Sequence, residues 1–277
     1  MHLEPFKVLS WAYQLHYYLC FRSHRRRLHF GEVERADRLS HWLGEICQHH
    51  DYHLLQSRLY PDHLRCLLSL RPNHNVSTVV QILKANLSRE LGAEFHLGPP
   101  VWARGYLART IGRIRLDAVR RYVYNQAEHH GYASRLRPPI FRYRTRDPIQ
   151  LSAARGNFEL NYHLVFATQF RRAVFNSESG EGLGLYWLKV ADKRGFAIDQ
   201  MTILPDHVHL LVRTVPKMSL ETCVVSLLNN GQHWIGEHFG DVLVHEGIDQ
   251  LWQRSAYGGT CGKATTALLK WFLSQEE

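Results

Sequence analysis

The chain repeats itself. Pro61-Asp62-His63-Leu64-Arg65-Cys66-Leu67 in the first half is answered by Pro205-Asp206-His207-Val208-His209-Leu210-Leu211 in the second, and residues 102–126 are echoed by 252–275. The repeated units run from about residue 13 to 126 and from about 158 to 275, which is most of the 277 residues. A unit of that length can bury a core of its own, so two similarly built domains are the first expectation.

The two copies are damaged in complementary ways. The second keeps a histidine pair where the first has Arg65 in place of the second histidine. The first keeps Tyr122 near its end, where the second has Trp271. If histidines, tyrosine and glutamine belong to one active site, the only complete set is assembled across the repeat: His207 and His209 with Tyr122 and Gln126. His63, Arg65, Trp271 and Gln275 are then left as a degenerate second set, and the chain reads as a fused dimer with one working site and one dead one.

Hydrophobic patterning predicts strands over 16–21, 54–59 and 64–70 and helices over 32–50 and 76–91 in the first unit. The second unit follows the same order, with strands over 163–169, 201–204 and 208–214 and helices over 182–193 and 220–239. Each unit ends in a helix carrying Tyr122 or Trp271, entered through Gly112 or Gly262. The expected class is α+β: two split β-α-β units in tandem, antiparallel sheets backed by helices. The domains expected are 1–126 and 158–277, joined by 127–157. That connecting stretch holds Gly131, Pro138-Pro139, Asp147-Pro148 and Gly156, a density of breakers that argues against a continuous helix or strand.

Net charge is +9, and the excess is clustered: Arg22, Arg25, Arg26 and Arg27; Arg113, Arg115, Arg120 and Arg121; Arg135, Arg137, Arg142, Arg144 and Arg146. Arginine's planar fork suits phosphate oxygens, and nearby Tyr132, Phe141 and Tyr143 can stack on unpaired bases. Any one cluster reads equally well as solvated surface, but three in one chain tilt the reading toward nucleic acid. The five cysteines (Cys20, Cys47, Cys66, Cys223, Cys261) form no CxxC pair and suggest neither a disulfide framework nor a thiolate zinc site. With no signal-peptide pattern and no run of about 18 apolar residues, a soluble cytoplasmic protein is expected.

Strand alternation puts His207 and His209 on one face, with Val208, Leu210 and Val212 turned to the core. Two imidazoles side by side suit a divalent metal. An H-x-H alone proves little in a chain with 19 histidines. Tyr122 and Gln126 are four apart and share one helical face, presenting a phenol beside an amide. A phenol can attack a phosphodiester in line, with a metal polarising the phosphate. Read alone, Tyr122 is one of 13 tyrosines packed on an amphipathic helix.

Together these pieces resemble the single-tyrosine HUH transposases, the TnpA-like enzymes of the insertion sequence 200/605 type that move single-stranded DNA. The resemblance rests on His163-Leu164-Val165-Phe166 with Arg171-Arg172, on the Pro-Asp-His-Val-His-Leu-Leu run, on Trp102 with Gly105-Tyr106, on Thr110-Ile111-Gly112, and on Tyr122-Val123-x-x-Gln126. It implies ferredoxin-like domains that exchange their tyrosine helices, so that histidines and tyrosine meet in trans; here the exchange is made within one chain. By position it implies His207, His209 and Gln126 as metal ligands, Tyr122 as the nucleophile and the Gly112 region as the joint before a moving helix. It further implies Mg2+ or Mn2+, no nucleotide energy source, and recognition of hairpins in single-stranded DNA at a bacterial or archaeal nucleoid. Arg25, Arg26, Lys84, Arg142, Arg144, Arg171 and Arg172 are the candidate DNA contacts.

Two departures qualify the resemblance. Arg65 puts a fixed cation where a ligand should be, and Trp271 has no hydroxyl. Lys84 lines up with Asn229, a further sign that the halves have specialised. With one tyrosine, full excision and insertion are in question, although the first cleavage is not. The expectation is therefore a DNA nicking and joining enzyme working as a monomeric pseudo-dimer, which leaves higher assembly open. The alternative is a retired, domesticated DNA-hairpin-binding protein, and a histidine-metal protein unrelated to DNA leaves the basic clusters unexplained.

Overall fold

A computed structural model describes residues 3–112, 115–125, 141–153, 156–263 and 265–274. Gln126, Gln275 and most of the connecting segment, including Arg135, Arg137 and Tyr132, lie outside those residues, and so does the side chain of Trp271. The first half runs β1 (Ser10–Gln14), β2 (His16–Arg22), α1 (Val33–His49), β3 (His53–Tyr60), β4 (His63–Ser69), α2 (Val76–Phe95), β5 (Tyr106–Ile111) and α3 (Leu116–Tyr124). After β6 (Phe141–Arg144) the second half repeats the order: β7 (Gly156–Ala167), α4 (Ser177–Arg194), β8 (Ala197–Leu204), β9 (His207–Thr214), α5 (Leu220–His238), a short α6 (Gly240–His245), β10 (Ser255–Cys261) and α7 (Thr266–Ser274).

Local sequence explains the helices. In α1 the buried residues Leu39, Trp42, Leu43 and Cys47 recur at helical spacing and make one apolar stripe. Asn75 caps α2 by accepting from the Thr78 amide, and Ser219 does the same for α5 at Thr222. Asn176 and Ser179 form a reciprocal capping box on α4, which ends at Gly195 with φ of +78°.

The strands form one ten-stranded sheet among the described residues, with the order β3-β4-β2-β5-β7-β9-β8-β6 and β10 paired to β7 and β1. Within each half the pairings are antiparallel: β2 with β4 and β5, and β7 with β9 and β10. The halves are joined by two parallel pairs that mirror each other. Trp11 on β1 lies opposite Ala256 on β10, while Gly156 on β7 lies opposite Tyr106 on β5. Such reciprocity is the signature of a two-fold interface, here within one chain.

Near that pseudo-axis the Tyr17 and Tyr162 hydroxyls meet at 3.1 Å. Thr110 donates to the Cys261 carbonyl at 2.7 Å, and Thr260 donates to the Ile111 carbonyl at 2.7 Å. The backbones pass so closely that a side chain at Gly112 would place its Cβ 2.1 Å from the Thr260 carbonyl oxygen. Gly262 sits at φ of +120° with the Thr110 carbonyl 2.9 Å from its would-be Cβ.

After these glycines each last helix crosses to the other half. Val119 and Val123 of α3 pack on Leu211 of β9 and Cys261 of β10, and Thr202 of β8 donates to the Val123 carbonyl at 2.6 Å. Conversely, Phe272 of α7 packs on Cys20 and Leu107 of the first half, under the Arg22 guanidinium at 5.0 Å.

Two expectations need correction. The connecting segment is not all coil, because Phe141–Arg144 forms β6 and pairs antiparallel with the edge of β8. Its alternating Phe141, Arg142, Tyr143 and Arg144 packs the two aromatics, half-buried, against the core, a short period that the surrounding prolines and glycines mask. The strand expected to begin at His163 begins at Gly156, since its first residues are needed for the parallel pair with β5. In addition, β9 is buried on both faces, because α3 covers the face that carries the histidines.

Candidate active site

His207 and His209 alternate with core residues on β9 and stand with ring centroids 5.1 Å apart. Both are buried, at 2% and 5% exposure. The tight turn at Pro205-Asp206 aims the Asp206 carboxylate back at its neighbour, so that His207 Nδ1 donates to Oδ1 at 2.6 Å. Arg171, from the turn after β7, grips the other oxygen at 2.9 Å. Burial works to raise the Asp206 carboxyl, but the His207 hydrogen bond and the Arg171 charge prevail and hold it below the usual carboxylate range.

Tyr122 arrives from the other half on α3. Its ring meets His209 edge-on with centroids 5.6 Å apart, and it is 39% exposed, so an extended strand can approach it. The first-half tyrosine and the second-half histidines thus stand together, 87 positions apart in sequence on the His209 side. The geometry also brings in His163 of β7, which sequence reading placed in a motif but gave no role. His163 stands 5.7 Å from the Tyr122 ring and 5.8 Å from that of Tyr257, and its Nε2 is 3.1 Å from His209 Nδ1. Burial pushes the His163 imidazole down to about 4, so it is neutral at pH 7. The missed signal was its position: opposite Leu211 in register, it shares the histidine face of β9.

The residues fit a divalent cation in the chemistry of their donors. Pinning Nδ1 of His207 on a carboxylate fixes the tautomer and leaves Nε2 as the ligating nitrogen, the arrangement usual behind metal-bound histidines. Two imidazoles are not three ligands, and no cluster of three His, Cys, Asp or Glu side chains able to hold a metal exists among the described residues. The third ligand expected, Gln126, falls outside them.

The first-half counterpart is built alike up to the lost ligand. His63 Nδ1 donates to Asp62 at 2.7 Å and Arg26 pairs with that aspartate at 3.1 Å, repeating His207, Asp206 and Arg171. There Arg65 donates from Nε to His63 Nε2 at 3.0 Å and lies 4.1 Å from the centre of the Tyr60 ring. Burial, with Arg65 and Arg26 nearby, holds His63 below its ordinary value against the pull of Asp62.

The remaining candidates are placed differently. Arg25 and Arg26 form an exposed turn, as do Arg171 and Arg172. Arg142 and Arg144 project from β6; Arg142 lies 5.3 Å from the Tyr124 ring, and Arg144 shares a cavity with Arg120, Arg121 and Tyr124. That gathers a basic rim on the helix that carries Tyr122. Lys84 is turned inward, donating to the Ala103 and Gly105 carbonyls at 2.7 and 2.8 Å. Its counterpart Asn229 holds Phe6 through both backbone groups.

The pattern of the IS200-like transposases matches twice, over residues 11–126 and 157–276. The transposase for insertion sequence element IS200 of Salmonella typhimurium is 29% identical over 126 residues, 46% of this chain and 83% of that protein. The ISDra2 transposase TnpA of Deinococcus radiodurans is 31% identical over 81 residues, 29% of this chain and 58% of that protein. A solved structure of a candidate transposase from Deinococcus radiodurans shares 25% identity, covering 45% of this chain and 95% of that one with a TM-score of 0.38. Since the family pattern matches both halves and together covers most of the chain, the chain belongs to the IS200-like transposases, as two copies in tandem.

Proposed function

We propose that the chain is a metal-dependent endonuclease and strand transferase for single-stranded DNA, acting on hairpin-bearing ends at one composite site. In this reading residues 1–126 and 158–277 are two ferredoxin-like units joined by 127–157, and the protein works in the cytoplasm as a monomeric pseudo-dimer. The observation that carries it is the placement of Tyr122 against His209 across the two halves, with centroids 5.6 Å apart.

Tyr122 is the nucleophile. Its phenolic oxygen bonds to the scissile phosphorus while the bond from phosphorus to the preceding 3′ oxygen breaks. The phenolic proton is given up and the departing oxygen takes one, leaving a 3′ hydroxyl and a 5′-phosphotyrosine. Attack by a 3′ hydroxyl reverses the step and joins a strand. His207 and His209, with Gln126, would hold Mg2+ or Mn2+, which when bound supplies Lewis acidity to the phosphate oxygens. Asp206 orients His207, and Arg171 holds Asp206 in place. The arginines of β6 and of the turn after β7 would track the backbone of the unpaired strand.

The test is a covalent-adduct gel with labelled single-stranded hairpin DNA and manganese. An adduct in the wild type, absent in Tyr122→Phe and His209→Ala, supports the composite site. No adduct with any substrate, despite salt-sensitive DNA binding, replaces this reading with a retired hairpin-binding protein.

A further inference from the structure

His207 and His209 are both held from behind, but by different groups. Asp206 accepts a hydrogen bond from Nδ1–H of the first, whereas Nδ1 of the second faces Nε2 of His163 at 3.1 Å. The His163 and His209 planes differ by 12°, with centroids 5.4 Å apart. That separation exceeds the nitrogen distance by about two ring radii, so the rings meet edge to edge and nearly coplanar, not face to face. Each nitrogen then lies along the other's N–H or lone-pair direction.

A neutral imidazole has one N–H and one lone pair, so the contact can run in only two ways. If His163 donates, His209 must carry its proton on Nε2 and cannot ligate through it. If His209 donates from Nδ1, its Nε2 carries the lone pair. We propose that His163 is a positioning residue whose Nε2 accepts a hydrogen bond from Nδ1–H of His209 and so presents Nε2 of that ring to the divalent metal, as Asp206 does for His207. The inference rests on the metal-dependent reading above.

The internal repeat supplies a control. The Tyr17 and Tyr162 hydroxyls meet across the pseudo-axis, which places Tyr18 at the position of His163 in the first half. There Arg65 stands in place of the second ligand, so that ligand and the imidazole behind it are missing together. Tyr18 instead packs with Cys20, Leu107 and Phe272.

Two measurements on the full chain test this. Two-bond nitrogen–proton NMR of the metal-free wild type at neutral pH reads the tautomer directly: His209 protonated on Nδ1 is expected, and protonation on Nε2 overturns the inference without any variant having to fold. Second, Mn2+ affinity without DNA is measured by electron paramagnetic resonance. His163→Phe should weaken it roughly 10- to 100-fold. His163→Gln, whose amide oxygen can accept at the same point, should recover most of it. Hairpin binding in a chelator should be unchanged in both. Equal Mn2+ affinity in His163→Phe and wild type overturns the role of His163 and leaves the metal reading standing. Equal affinity in His207→Ala and wild type sinks the metal reading itself, and this inference with it.

Discussion

Arg65 donates from Nε to His63 Nε2 at 3.0 Å, which ties up the nitrogen corresponding to the one His207 would use for a metal. The first-half site is therefore closed by its own side chain as well as short of a ligand, and a guanidinium cannot be deprotonated to reopen it. Arg65→His removes the cation and rebuilds the H-x-H pair. We expect Mn2+ bound per chain, read by calorimetry, to rise from one to two, the second site being the weaker because Tyr18 stands where His163 supports His209. A stoichiometry that stays at one would mean that more of the first site has been lost than this arginine.

Tyr122 is 39% exposed, so losing its hydroxyl should leave stability within about 0.5 kcal/mol of wild type. Cleavage is another matter, because the hydroxyl is the only group proposed to attack phosphorus. Tyr122→Phe is expected to keep the thermal midpoint and DNA affinity and to form no adduct. Trp271→Phe should form adduct at the wild-type rate. Loss of activity in a folded Trp271→Phe protein would contradict the division of labour between the halves.

The histidine pair and the helix that carries Tyr122 were legible because each is local, a period of two in β9 and an amphipathic pattern in α3, and because the repeat shows the pattern twice; Gln126, expected four residues beyond Tyr122, lies outside the described residues. What escaped was set by pairings far apart in sequence. Ser10–Gln14 and the first residues of β7 become strands because each completes a parallel pair with the other half, which no local period reveals. His163 gains its role through register with β9, 46 positions away. Lys84 looked like a DNA contact from charge alone, whereas the carbonyls it satisfies lie 19 and 21 residues on.

Those placements separate the basic residues by salt dependence. Arg142 and Arg144 are exposed on the edge strand beside α3, so Arg142→Ala and Arg144→Ala should weaken single-stranded DNA binding across sequences. For each phosphate that is no longer neutralised, the slope of log affinity against log salt should fall by about 0.7. Lys84→Ala should leave that slope alone and lower the melting temperature, since two carbonyls lose their donor. Fluorescence anisotropy over a range of salt, with thermal melts alongside, checks both. A slope change on Lys84→Ala would return that residue to the DNA-binding surface.

The glycines at the crossover decide whether α3 can be delivered at all. A Cβ at Gly112 would sit 2.1 Å from the Thr260 carbonyl oxygen, a backbone atom that cannot rotate away. Gly112→Ala must therefore push β5 from β10, at a cost of about 1–3 kcal/mol for overpacking. Gly262→Ala adds the strain of φ at +120° and should cost at least as much. Gly44, inside α1 with nothing within 4 Å of its would-be Cβ, is the control, and Gly44→Ala should stabilise by about 0.5–1 kcal/mol. Urea denaturation orders the three. Because the shift at Gly112 lies immediately before the helix that bears Tyr122, its alanine variant should lose adduct formation more steeply than DNA affinity. A Gly112→Ala protein with wild-type stability and cleavage would show that the two backbones part freely at the pseudo-axis.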